Sequence, residues 1–337
     1  MLLFQVTEDP AAEGGLDGNV VQRSIVIYLL SCFLGALLNW VVPFVGTLFF
    51  AYGASVLWLR GKGVSVLLPV VVAAGVAFLV SGEAALITVV IECAVLLLLV
   101  SMLTKGFNQG RCFLSVAALS VTFFLRDFAY AWLSGTTIWG SLAAETNAMV
   151  KAITALGTVP AETITVLKEA VDTIVMFWPS FYVVEGALCM VALGLMVLVA
   201  RRRHSLEAHT FELGRLDLSV HVGWVLLAGL VCVAVSFMNI AFAQEIKLAG
   251  YNLLFCAALI YMVQGFAVTA YYMGRAGWSP LLRGLVYLVL LQMELMFLAP
   301  SFVGLADYWC NFRKLPREDG EQDGEKEQGT GSKDPEQ

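Results

Sequence analysis

The chain reads as an all-α, polytopic transmembrane helical bundle of about eight or nine spans, with an external amphipathic helical segment. Three observations predict that class. Of 337 residues, 59% are hydrophobic and 14% charged, against about 25% charged in an ordinary soluble domain. Mean hydropathy is +0.82, more apolar surface than a soluble globule of this size can hide, since much of any folded surface must still meet water. The apolar residues form long continuous runs without period-2 alternation. That argues against an outer-membrane barrel and for helices, whose backbone groups satisfy one another in lipid.

Crossing a bilayer takes about 20 apolar residues. Runs of that kind lie at 24–42, 43–59, 64–81, 84–103, 112–133, 177–200, 218–239, 249–273 and 281–305. The first is preceded by acidic residues and followed by no small-residue cleavage site, so it reads as a retained helix and not a signal peptide. The second opens at Pro43 and reads as a span, a hairpin or a half-helix. Both ends of the chain are polar, Gly-rich tails (1–21 and 316–337) and are expected to be disordered. Together they hold twelve acids and three basic residues, a net −9, while 22–315 holds 14 acids and 17 basic residues, a net +3. The formal charge of −6 therefore belongs to the tails.

Orientation follows from Lys and Arg in the short connections. With the N-terminus in the cytoplasm, eleven basic residues fall inside: Arg23, Arg60, Lys62, Lys105, Arg111, Arg201, Arg202, Arg203, Arg215, Arg275 and Arg283. Only Lys151, Lys168 and Lys247 fall outside, which predicts a bacterial-type plasma membrane protein with its N-terminus in the cytoplasm. Nine crossings would put the C-terminal tail outside, along with Arg313, Lys314 and Arg317; an incomplete crossing would put it inside. Trp40, Trp58, Trp132, Trp178, Trp278 and Trp309 lie at or near span ends, as an interfacial aromatic belt requires.

The connection 134–176 holds two amphipathic patterns. Thr158, Pro160 and Glu162 open the second with a cap-type residue, an early Pro and a first-turn acid. Ile164, Leu167, Val171, Ile174 and Val175 form its apolar face, and Thr165, Lys168, Glu169 and Asp172 the polar one. A weaker apolar face, Met149, Val150, Ile153 and Leu156, precedes it. The pair is expected on the outer membrane surface, as a cap or a gate.

Ionisable side chains at membrane depth each cost about 2.5–3.5 kcal/mol on insertion scales at the helix centre, so they are the first candidates for a site. Glu92, Glu185 and Glu294 fall near mid-span, and Arg126 and Asp127 in the outer half of the fifth span. Adjacent residues on a helix point about 100° apart, so Arg126 and Asp127 are expected to face different partners. One Arg does not match so many acids. We expect these residues to line a polar cavity for a small cationic or zwitterionic ligand, or for protons; separate helix contacts are the alternative. Arg201, Arg202 and Arg203 form a basic cluster expected to meet anionic lipid headgroups.

No cofactor or metal is expected. The seven cysteines are scattered without Cys-x-x-Cys, and His204, His209 and His221 lack zinc spacing. Phosphate-binding glycine loops, dinucleotide fingerprints and hydrolase or metalloprotease motifs are absent, so neither an enzyme nor a nucleic-acid partner is expected.

The last third carries a more specific pattern: Asn252, then Gln264-Gly265-Phe266-Ala267-Val268, then Tyr271-Tyr272, then Gly304, Asp307, Trp309, Asn311, Phe312 and Arg313. In this it resembles the YybS-like family of bacterial multi-pass membrane proteins, with the closest residue match over about 250–314. The resemblance implies no catalytic or ligand residues. It does imply a loose kinship with the substrate-capture components of vitamin transporters and with a membrane protein of rod-shape morphogenesis. The first six spans fit a six-helix capture plan; those after residue 217 exceed it. Trp309 and Phe312 are expected at headgroup depth, with Arg313 and Lys314 on phosphates and Asp307 capping or pairing with one of them. Ser31 and Gly35, four apart on the first span, allow close helix packing. Two functions follow as expectations: a small-molecule transport or capture component, or a membrane scaffold that recruits envelope-assembly proteins. The expected partners are the bilayer, an unidentified small molecule and, for the scaffold, another membrane protein.

Overall fold

The fold was analysed in a computed structural model, which describes residues 18–155, 160–204, 213–219, 221–238 and 241–315. Residues 1–17 and 316–337, where the disordered tails are expected, lie outside these. All regular structure among the described residues is helical. The chain divides into two compact units, Met1–Phe211 and Glu212–Gln337, which are taken in turn.

The first unit begins with a tight hairpin, α1 (Gly18–Val41) and α2 (Pro43–Leu59). Pro43 sits in the first turn of α2, where its missing N–H costs nothing. Small residues let the two backbones touch. A Cβ on Gly35 would stand 2.3 Å from Phe50 N, and one on Gly46 2.1 Å from Asn39 N. Ser31 Oγ donates to Phe49 O across the same seam (2.8 Å). The insecure second segment is thus the return arm of a hairpin, and Ser31 and Gly35 do serve close packing. Then follow α3 (Leu67–Ser81), α4 (Glu83–Leu103) and α5 (Gln109–Leu133), whose N-cap Asn108 accepts from Arg111 N. The connection 134–176 folds as two helices, α6 (Ile138–Ala155) and α7 (Ala161–Met176), as its patterns predict. The unit closes with α8 (Trp178–Arg203), packed on α2 and α5. Its core is apolar, with Phe50, Leu57, Leu96, Leu99, Phe123 and Leu193 buried.

The second unit holds α9 (Val222–Val235), the long α10 (Ala243–Arg275), α11 (Pro280–Phe297) and α12 (Ala299–Cys310). Here the structure corrects the span count. The segment 281–305 is not one helix. It breaks at Leu298, which adopts the left-handed region (φ 53°), an arrangement costly for a branched side chain. The Glu294 carboxylate accepts from Ser301 N at 3.0 Å and also from Ser301 Oγ, tying the last turn of α11 to the first turn of α12. From there α12 runs alongside α10 in the same direction: Ser301 Oγ donates to Ala258 O and, further on, Tyr272 Oη donates to Phe312 O. Residues 311–315 therefore leave at the end of α10 that carries Arg275. Among the described residues, six helices are long and apolar enough to cross a membrane, and three apolar stretches (Ile25–Asn39, Pro43–Leu59, Val222–Val235) are shorter. That is fewer than the eight or nine expected.

Candidate functional site

In the first unit a polar knot crosses the bundle. Its centre is Arg126 on α5. The guanidinium reaches three carboxylates: Nε to Asp127 Oδ1 (2.7 Å), Nη1 to Glu92 Oε1 on α4 (3.3 Å) and Nη1 to Glu185 Oε1 on α8 (3.7 Å). It also lies 5.2 Å from the centre of the Phe123 ring, a cation–π distance. Two expectations change here. Arg126 and Asp127 do share a direction, because the long Arg side chain folds back on its neighbour. And one Arg does serve three acids, since a guanidinium presents five donors in a planar fork.

The inner and outer acids differ in exposure. Glu92 is 2% exposed, and its other oxygen accepts from Asn39 Nδ2 at 2.6 Å. Asn39 Oδ1 in turn accepts from Thr47 Oγ1 (3.1 Å). That relay ties the α1–α2 hairpin to α4 and α5. Asp127 and Glu185 have side chains 38% and 30% exposed. Tyr182 Oη donates to Asp127 Oδ2 (2.9 Å). Both outer acids face a cleft of about 530 Å³ between the end of α5, the start of α6 and the start of α8, lined also by Tyr130, Trp178, Phe181 and Tyr182. That volume is in the range of small-molecule sites, about 300–1,000 Å³. One guanidinium against three carboxylates leaves up to two negative charges for something else to balance.

Glu294 is not part of this knot. It lies on α11 in the second unit, where its carboxylate is engaged by Ser301. Sequence reading missed Asn39, Thr47 and Tyr182. The signal was weak but present: Asn39 and Thr47 are the polar interruptions on either side of Pro43, and Tyr182 precedes Glu185 by one helical turn.

The family-like residues of the last third form a separate lock in the second unit. Gly265 and Gly304 are where α10 and α12 touch: an added Cβ would stand 2.0 Å from Pro300 O and 1.9 Å from Tyr261 O. Asp307 Oδ2 accepts from Gln264 Nε2 (2.9 Å) and from Arg313 Nη2 (2.9 Å) and Nε (3.1 Å). Arg313 Nη1 donates to Gly214 O (2.9 Å) and Leu216 O (2.7 Å), and Gln264 also reaches Asp217 (3.1 Å). The expected Asp307 pairing is thus with Arg313, which is buried rather than aimed at phosphates. Asn311 ends α12 in the left-handed region (φ 46°), which Asn tolerates. Trp309 and Phe312 are exposed. In the basic cluster, Arg201 also turns inward, donating to Thr104 O, and Arg203 donates to Tyr52 Oη; Arg202 is exposed.

No curated protein and no solved structure matches the chain. A model of one family does, over residues 25–308. Because that match covers well over half of the chain and reaches into both units, the chain belongs to the family described as predicted membrane protein (DUF2232).

Proposed function

We propose that the chain is a small-molecule capture or transport component whose ligand sits in the α5–α6–α8 cleft of the first unit. The observation that carries this reading is the knot around Arg126. Charges in membrane helices are costly and rare and point to a functional site by default, and here two of three acids open onto a cleft of ligand size. The division of the chain after Phe211 supports it, because the first unit then holds the six apolar helices of a capture plan. The Lys and Arg distribution and the resemblance to the YybS-like proteins support placement in a bacterial plasma membrane with a cytoplasmic N-terminus.

The test is purification of the full chain in mild detergent, followed by mass spectrometry of what comes with it. A small molecule that is lost from Glu185→Gln supports capture. A stable protein partner with no small molecule overturns it and favours the scaffold. That second reading rests on α11, whose apolar window is only 6% buried and so leaves nearly a whole helix to lipid or to another protein.

A further inference from the structure

The cleft presents an unequal set of groups to a ligand. Arg126 is absent from its lining, because its Nε and Nη1 are turned to Asp127, Glu92 and Glu185. What the ligand meets is Glu185, Asp127, a wall of aromatic rings and, on the α6 side, the hydroxyls of Ser134, Thr136 and Ser141. Among these, Glu185 is held least: its contact to Arg126 is the longest of the three. Asp127 is fixed from both sides, by Arg126 and by Tyr182.

Resting on the capture reading, we infer that the ligand is an organic ammonium ion with an apolar, ring-sized body. Its charged nitrogen takes Glu185 as counter-ion, and its body lies against Trp178, Phe181, Tyr182 and Tyr130. Three arguments select this class. A free carboxylate or phosphate would meet two acids and an already paired guanidinium, so anions are repelled, and a zwitterion's negative end would find only the hydroxyls of Ser134, Thr136 and Ser141. A bare inorganic cation would leave most of the 530 Å³ unfilled, and the cleft lining offers it only two acids, Asp127 and Glu185. Aromatic faces attract a nearby cation and also bury its hydrocarbon, so both parts of the ligand find a partner. Binding leaves Arg126 on Glu92 and Asp127 and adds one positive charge to a knot that lacks it.

The test uses three probes of nearly the same shape: phenethylammonium, neutral phenethyl alcohol and anionic phenylacetate. Each is titrated calorimetrically into the full chain in mild detergent. The ammonium is expected to bind, the other two not, and Glu185→Gln is expected to weaken the ammonium by about tenfold or more, the usual loss for a hydrogen bond to a charged group. The comparison of probes needs no variant, so it stands if Glu185→Gln folds poorly. Binding of the alcohol or of phenylacetate as tight as the ammonium overturns the charge assignment while leaving capture intact. Unchanged ammonium affinity in a folded Glu185→Gln overturns Glu185 as the counter-ion. If none of the three binds, the ammonium assignment fails, and capture rests on the co-purified molecule alone.

Discussion

At the scale of single residues, the account turns on Arg126 and Glu92. Glu92 is buried and has Arg126 and Asn39 as partners. Removing one member of a buried ion pair leaves an uncompensated charge and typically costs about 3–5 kcal/mol. Arg126→Met is therefore expected to lower the unfolding midpoint in detergent sharply. Arg126→Met combined with Glu92→Gln should recover a large part of the loss, because the orphaned charge goes with its partner. A double variant no better than the single one would show that the two side chains do not depend on each other. The sequence made these residues visible because charge in an apolar run is conspicuous. It did not show that Arg126 would gather three acids, since that depends on how α4, α5 and α8 pack and on a side chain folding back over one turn. It also grouped Glu294 with them on depth alone, whereas depth says nothing about which helix face a residue shares.

At the scale of elements, helix existence was legible and helix continuity was not. The amphipathic patterns placed α6 and α7, and the apolar runs placed α1 to α5 and α8. The break at Leu298 escaped notice because an apolar residue in the left-handed region leaves no mark on hydropathy. Pro300 was the available clue, since a proline favours the first turn of a new helix. Glycine roles divide in the same way. Gly304→Leu forces α12 off α10 and should cost at least the roughly 1–3 kcal/mol of an overpacked core, because the obstacle at Tyr261 O is backbone. Gly284→Ala, in α11 with nothing within 4 Å of an added Cβ, should be neutral or stabilising by up to about 1 kcal/mol. Thermal unfolding of both variants in the same detergent checks the contrast.

At the scale of the whole molecule, the helix break bears on a conflict in the charge pattern. A ninth crossing carried Arg313 and Lys314 to the side poor in basic residues. With α12 running alongside α10 in the same direction, these residues end beside Tyr272, near the end of α10 that holds Arg275, and the cytoplasmic N-terminus proposed above predicts that they share the side of Arg275. A membrane-impermeant maleimide applied to intact cells should therefore label a cysteine at Lys151 and spare cysteines at Lys62 and Lys314. Labelling at Lys314 would restore the ninth crossing. The most direct measurement of the central claim is the reactivity of the three acids around Arg126. A water-soluble carbodiimide with an amine nucleophile, applied to the chain in native membranes and read by peptide mass spectrometry, should modify Glu185 and Asp127 and spare Glu92. Phenethyltrimethylammonium, which cannot itself couple to an activated carboxyl, should protect the two outer acids. Modification of Glu92 at the same rate, or a Glu185 that stays unreactive with and without the ammonium, would contradict an open, acid-lined cleft as the ligand site.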